Sequence, residues 1–179
     1  MSLQNDLRIA TLLDAYHAAE YRWELDGEWR ALRIGHLAPE LEAFFPGSQR
    51  FGLLSAWDPH SVPRAESVNR RADESLHAAL LSSNLPFRPG FCSAPNRSWR
   101  EPSWVVMDMP DQEFDRLALR YGQLGTLAWK RGEPVRLRMY AQQPLLAKPR
   151  EFVDWLGQIA PTRSPTGLTR PGKSGTPTK

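Results

Sequence analysis

The sequence predicts an α+β fold: a ferredoxin-like β-α-β-β-α-β core over residues 51–130, extended by an N-terminal helix and a β-hairpin into a mostly antiparallel sheet. Three observations predict it. Two compact apolar runs, Phe51–Trp57 and Ser103–Met109, suit strands buried on both faces, and they stand first and third among the strands of this stretch. In the ferredoxin-like order the first and third strands are the central ones. Each run is followed by an amphipathic helical pattern. Asp26-Gly27 lies between two short strand-like runs and signals a hairpin, because a type I′ turn needs positive φ at both central residues.

Taken in order, residues 3–20 read as an amphipathic helix with Leu7, Ala10, Leu13 and His17 on one face and no proline to interrupt it. Residues 21–25 and 28–35 form the hairpin around Asp26-Gly27. Pro39 to Phe45 is a short helix that Pro46-Gly47 ends. After the first central strand, residues 64–82 form a helix with Val68, Ala72, Leu76 and Leu80 at i, i+4 spacing. Residues 86–91 give a short strand. After the second central strand, Pro110 and Asp111 open a helix that presents Phe114, Leu117, Ala118 and Tyr121 on one face and stops at Gly122. Strands follow at 125–130 and 134–140, joined by Arg131-Gly132-Glu133. Residues 150–159 read as a short helix docking by Phe152, Trp155 and Leu156. The domain is expected to span residues 1–160. Residues 161–179, rich in Pro, Thr, Gly and Lys, have nothing to bury and are expected to be a disordered basic tail.

Composition sets bounds on function. The hydrophobic share of 41% and the charged share of 24% are those of a globular chain, and seven Trp and seven Phe supply large rings for a core. The net charge is +3, but residues 161–179 carry Arg163, Arg170, Lys173 and Lys179 and no acid, so they contribute +4 and leave residues 1–160 at −1. A nearly neutral domain has no field for phosphate, since non-specific nucleic-acid affinity comes from clustered cations. Any such binding is expected to be weak and driven by the tail. Cys92 is the only cysteine, which rules out an intramolecular disulfide. Asp6, Arg8 and Asp14 break up the apolar positions of the N-terminus, no stretch has the length and apolarity of a membrane span, and a cytoplasmic location is the expectation.

The polar residues that draw attention are clustered. Ser55-Ala56-Trp57-Asp58-Pro59-His60-Ser61 is followed by Asn69 and Arg70, then by Trp99-Arg100-Glu101-Pro102-Ser103-Trp104, then by Tyr121-Gly122-Gln123. If the third core strand runs antiparallel to the first, the start of one lies beside the end of the other. That brings Trp57, Asp58, Ser61, Asn69, Glu101 and Gln123 to one edge of the sheet, where acids and amides among aromatics can form a small polar pocket. The structural alternative is that Asp58-Pro59-x-Ser61 is a turn and helix cap, that Asn69 and Gln123 satisfy loop backbone, and that Glu101 pairs with Arg70 or Arg71.

These ordered motifs resemble the bacterial domain-of-unknown-function 3293 family over roughly residues 51–130. That family's pattern has [Ser/Thr]-Ala-Trp-Asn-Pro-x-Ser, an Asn early in the next helix, Trp-x-Glu-x-Ser, and Phe/Tyr-Gly-Gln before a strand with Ala and Trp. The chain departs from it at Asp58, where the pattern has Asn. The resemblance implies no activity.

Other chemistries lack their residues. His17, His36, His60 and His77 are scattered without zinc-ligand spacing, and Cys92 has no adjacent activator and reads as an inert, half-buried thiol. Neither G-x-G-x-x-G nor G-x-x-x-x-G-K occurs, so no phosphate loop and no cofactor is expected. Ser55 lacks the glycines of a nucleophile elbow. Three functions compete. The first is a non-catalytic binding module that holds a protein or small molecule at the strand-end pocket. The second is a hydrolase- or nuclease-like enzyme using Asp58 and Glu101 as paired carboxylates. The third is nucleic-acid binding on sheet aromatics, for which alternating aromatics on two central strands are not evident.

Overall fold

A computed structural model of the chain describes residues 3–145 and 147–157. They contain, in order, α1 (Leu3–Ala18), β1 (Glu20–Leu25), β2 (Glu28–Leu32), α2 (Pro39–Phe44), β3 (Arg50–Leu54), a 3₁₀ turn (Pro59–Ser61), α3 (Glu66–Ser83), β4 (Phe87–Ser93), β5 (Arg100–Met107), α4 (Asp111–Arg120), β6 (Gly125–Lys130), β7 (Arg136–Met139) and β8 (Val153–Trp155). The basic segment 161–179 lies outside the described residues. No helix among the described residues is long and apolar enough to cross a membrane.

All eight strands join one sheet in the order β2-β1-β4-β5-β3-β6-β7-β8. Every neighbouring pair is antiparallel except β7 and β8, which run parallel. The apolar runs picked from the sequence are β3 and β5, which lie side by side in the middle of the sheet. In β3, Phe51 and Leu53 turn to one side while Gly52 and Leu54 turn to the other, as the period of two dictates. The first side is covered by α1 and α2 through Leu13 and Leu41, the second by α3 and α4 through Leu76, Leu80 and Phe114. Phe51 stacks on its cross-strand partner Trp129 at 5.4 Å and 14°. Gly52 leaves room for α4: a Cβ there would sit 2.4 Å from the Phe114 ring. At the hairpin, Asp26 and Gly27 both have positive φ, 53° and 82°, and β1 pairs with β4, so the N-terminal elements extend the sheet.

Several expectations are corrected. Of the helix expected over 150–159, residues 150–157 are described and form none, the rest lying outside the described residues; Val153–Trp155 is an edge strand, with Leu137 N–H donating to Phe152 O at 2.8 Å and Leu156 N–H to Met139 O at 2.8 Å. A ten-residue helix gains little on its own in water, whereas β7 offered an open ladder edge. The Arg136 guanidinium grips both Asp154 carboxylate oxygens across that edge, at 2.7–3.1 Å. On α1 the buried stripe is Asp6, Ile9 and Leu13, and Leu7 is exposed. On α3, Val68 faces solvent while Asn69 is buried in its stead. The site requires that buried Asn.

Candidate functional site

The residues singled out in the sequence meet where β3 ends and β5 begins. Antiparallel pairing of Leu54 with Trp104 fixes that meeting, and Cys92 of β4 pairs with Glu101. Glu101 lies inside β5 rather than ahead of it. The chain leaving β3 is tied down at once: Ser55 Oγ donates to Pro102 O at 2.8 Å and accepts Trp57 N–H at 2.9 Å.

The next turn is held by side chains because its backbone is unusual. Asp58, His60 and Ser61 have φ of 41°, 56° and 54°, a left-handed region that costs a non-glycine residue of order 1 kcal/mol or more. Asn69 answers Asp58 reciprocally. Its Oδ1 accepts Asp58 N–H at 3.0 Å and its Nδ2 donates to Asp58 Oδ1 at 2.7 Å. Arg64 joins from both ends, with its backbone N–H on Asp58 Oδ1 at 3.1 Å, its Nε on Asn69 Oδ1 and its Nη2 on Ala56 O at 2.9 Å. Asp58 thus closes its own loop and makes no side-chain cap to a helix, and α3 starts without one.

Two neighbours clamp this turn from outside. Gly122 O accepts His60 N–H at 2.6 Å, and Gln123 Nε2 donates to Trp57 O at 3.0 Å. Gly122 is required there: its φ is +67°, and a Cβ would sit 2.8 Å from Pro59 Cβ. From α1, Arg8 donates to His60 O, and Tyr16 Oη lies 2.5 Å from Ser61 Oγ.

Together these elements enclose a cavity of about 200 Å³. Trp57, Asp58, Ser61, Glu101 and Gln123 border it, and so do Tyr16, Tyr21, Trp99, Leu53, Cys92 and Ser103. Five of the six residues expected at the pocket border it. The sixth, Asn69, is 2% exposed and stands behind the loop, with its amide oxygen and nitrogen both bonded to Asp58. Glu101 pairs with neither Arg70 nor Arg71; Arg70 is taken by Glu66 one helical turn away, at 2.5 Å.

The electrostatics are one-sided. Asp58 and Glu101 are the charged side chains on the cavity wall. Among the described residues Glu101 has no ion pair, and the partner nearest its carboxylate is the Cys92 thiol, 4.0 Å from Oε2. Burial, reinforced by the charge of Asp58, pushes the Glu101 carboxyl up to about 7. Burial also pushes the Cys92 thiol up to about 12, with Glu101 adding to it, and the Tyr16 phenol to about 12. Both therefore stay neutral, and Cys92 is no nucleophile at neutral pH. No three His, Cys, Asp or Glu gather at metal-binding range among the described residues.

Sequence reasoning missed Tyr16, Tyr21 and Arg64. The helical period of α1 pointed to Leu13 and His17 and carried no mark for Tyr16. Arg64, five residues ahead of Asn69, has no local signal at all.

The family model described as "Protein of unknown function (DUF3293)" matches residues 54–125, from the last residue of β3 to the first of β6. The matched stretch holds all six predicted site residues, and the resemblance read from their motifs is borne out. No curated protein and no solved structure matches the chain.

Proposed function

We propose that the chain is a non-catalytic binding module whose small-molecule ligand occupies the cavity bordered by Trp57, Asp58, Ser61, Glu101 and Gln123, with Asn69 bracing the loop behind them. One observation carries this reading. Glu101 holds an ionisable carboxyl in a half-buried position with no ion pair among the described residues and only a thiol 4.0 Å away. Burying a carboxylate without partners is expensive, and architecture alone gains nothing from it. The neighbouring side chains of Ser55, Ser61, Asn69 and Gln123 each make at least one hydrogen bond. A concave, largely preformed site with aromatic walls and a few convergent polar groups is the usual form of a ligand pocket.

We further read the β3–β6 part as ferredoxin-like. The order β4-β5-β3-β6, antiparallel throughout, with α3 and α4 packed on one side, supports that reading. Such a frame holds the ends of β3 and β5 rigidly at the cavity mouth.

A thermal-shift panel of fragments with six to ten non-hydrogen atoms, run on wild type, Glu101→Gln and Gln123→Ala, tests the binding reading. About 150 Å³ already accepts benzene. At least one fragment is expected to raise the wild-type Tm, by less in Glu101→Gln. A silent panel, with both variants several kcal/mol less stable, overturns the reading in favour of architecture.

A second reading is an acid–base enzyme of the hydrolase or nuclease class. It is favoured by two carboxyls on one cavity and by the influence of Asp58 on Glu101. The commitment of Asp58 Oδ1 to Arg64 and Asn69 weighs against it. Titration calorimetry with Mg²⁺ and Mn²⁺ separates the two: no heat at millimolar metal removes the metal-dependent form. Tail-driven nucleic-acid binding concerns residues outside those described.

A further inference from the structure

The identity of the ligand can be taken one step beyond the existence of a site, and this step rests on the cavity being a binding site. We infer that the cavity takes a small organic ammonium ion, whose N–H groups are received by Glu101, Asp58 and Gln123 and whose apolar body lies among Tyr16, Trp57 and Trp99.

Charge gives the sign of the ligand. The two charged side chains on the wall are carboxylic acids, and no Lys, Arg or His borders the cavity among the described residues. The two guanidinium groups that touch this loop from outside the cavity are spent, Arg64 on Asn69 and Ala56 O and Arg8 on His60 O. An anion would meet two acids and no cation; an ammonium meets a complementary field.

Hydrogen-bond capacity gives its headgroup. The Glu101 carboxyl offers two oxygens with a single weak thiol neighbour. Asp58 uses Oδ1 for Arg64 and Asn69, and Gln123 uses its Nε2 on Trp57 O, which leaves Asp58 Oδ2 and Gln123 Oε1 as acceptors. On the donor side stand the one spare O–H of the Tyr16–Ser61 pair, the second Nε2–H of Gln123 and the indole N–H groups of Trp57 and Trp99. The charged groups on the wall are carboxylates, which only accept when ionised, so they call for a partner that brings donors and positive charge, as an ammonium with up to three N–H groups does.

The walls and the volume give its body. Indole and phenol rings from Trp57, Trp99, Tyr16 and Tyr21 border the cavity, and ring faces attract cations as well as apolar groups. A volume of about 200 Å³ holds one ring and a short arm. A bare divalent ion is a poor match, since no three ligating side chains gather there among the described residues.

Benzylamine, benzyl alcohol and benzoate share one ring and differ in headgroup charge. Titrating each into the full 179-residue chain at pH 8, with backbone amide shifts of Ser61, Glu101 and Gln123 as the readout, tests the inference. Benzylamine is expected to shift these resonances with a Kd at least tenfold below that of benzyl alcohol, and benzoate to leave them in place. Glu101→Gln should weaken benzylamine at least tenfold and leave benzyl alcohol unchanged. In wild type alone, benzylamine affinity should rise from pH 6 to pH 8. Benzyl alcohol or benzoate binding as tightly as benzylamine would overturn the ligand class while keeping the cavity as a binding site. If none of the three moves a cavity resonance, both the class and the site fall.

Discussion

Asn69 and Asp58 hold each other in both directions, the Asn69 Nδ2 donating to Asp58 Oδ1 at 2.7 Å while Asn69 Oδ1 accepts the Asp58 backbone N–H at 3.0 Å. This pair sets a left-handed turn at the mouth of the cavity and so fixes which way Trp57, Asp58 and Ser61 face. Replacing Asn69 with Ala should therefore cost about 2–4 kcal/mol in urea unfolding, because buried polar groups on Asp58 and Arg64 lose their partner. A loss below about 0.5 kcal/mol would mean that the loop does not depend on this pair.

Asp58 stands where the resembled family pattern has Asn, and the geometry accounts for the exchange. The loop uses Oδ1 of residue 58 as an acceptor for Arg64 and Asn69, and an Asn supplies the same oxygen. Asn also tolerates the φ of 41° found there. Asp58→Asn should change stability by less than about 1 kcal/mol, whereas Asp58→Ala should cost about 2–3 kcal/mol. Asp58→Asn also removes the like charge that helps to raise Glu101, so the Glu101 midpoint, followed by carboxyl NMR, should move down from about 7.

Gly122 is the third support of the turn. Gly122→Ala places a methyl at 2.8 Å from Pro59 Cβ at a φ of +67°, and it should cost about 2–4 kcal/mol. Amide shifts at His60 and Ser61 should change with it, since His60 N–H donates to Gly122 O at 2.6 Å. A variant as stable as wild type would show that the 121–123 turn yields easily.

The elements that were legible in the sequence are those whose apolar pattern is local. The runs that became β3 and β5 are apolar on both faces, and their antiparallel pairing brings Glu101 to Trp57 and Asp58 as expected. Asp26-Gly27 declared its turn through the chemistry of positive φ. What could not be read depends on contacts across the fold. Tyr16 reaches Ser61 over 45 positions, and nothing near it in α1 distinguishes it from a surface phenol. Val68 looked like a core residue by spacing, but the need of Asp58 for an amide turned α3 so that Asn69 is buried. Phe152 and Trp155 matched a helical period, yet the open edge of β7 and the Arg136–Asp154 pair made a strand of them.

The unfolding free energy of Glu101→Gln relative to wild type, measured by urea at pH 4 and at pH 8, tests the central claim most directly. The Glu101 carboxyl is raised from 4.5 to about 7, so the folded state holds its proton more tightly than the unfolded chain does. That advantage is complete below the unfolded value and is lost as pH rises through about 7, which amounts to at most ~3 kcal/mol. The expected result is two proteins of nearly equal stability at pH 4 and a Glu101→Gln variant about 1–3 kcal/mol more stable at pH 8, the mark of a carboxyl kept for a ligand at the expense of the fold. A variant less stable than wild type at both pH values would contradict the account, because the carboxyl would then be part of what holds the sheet edge together.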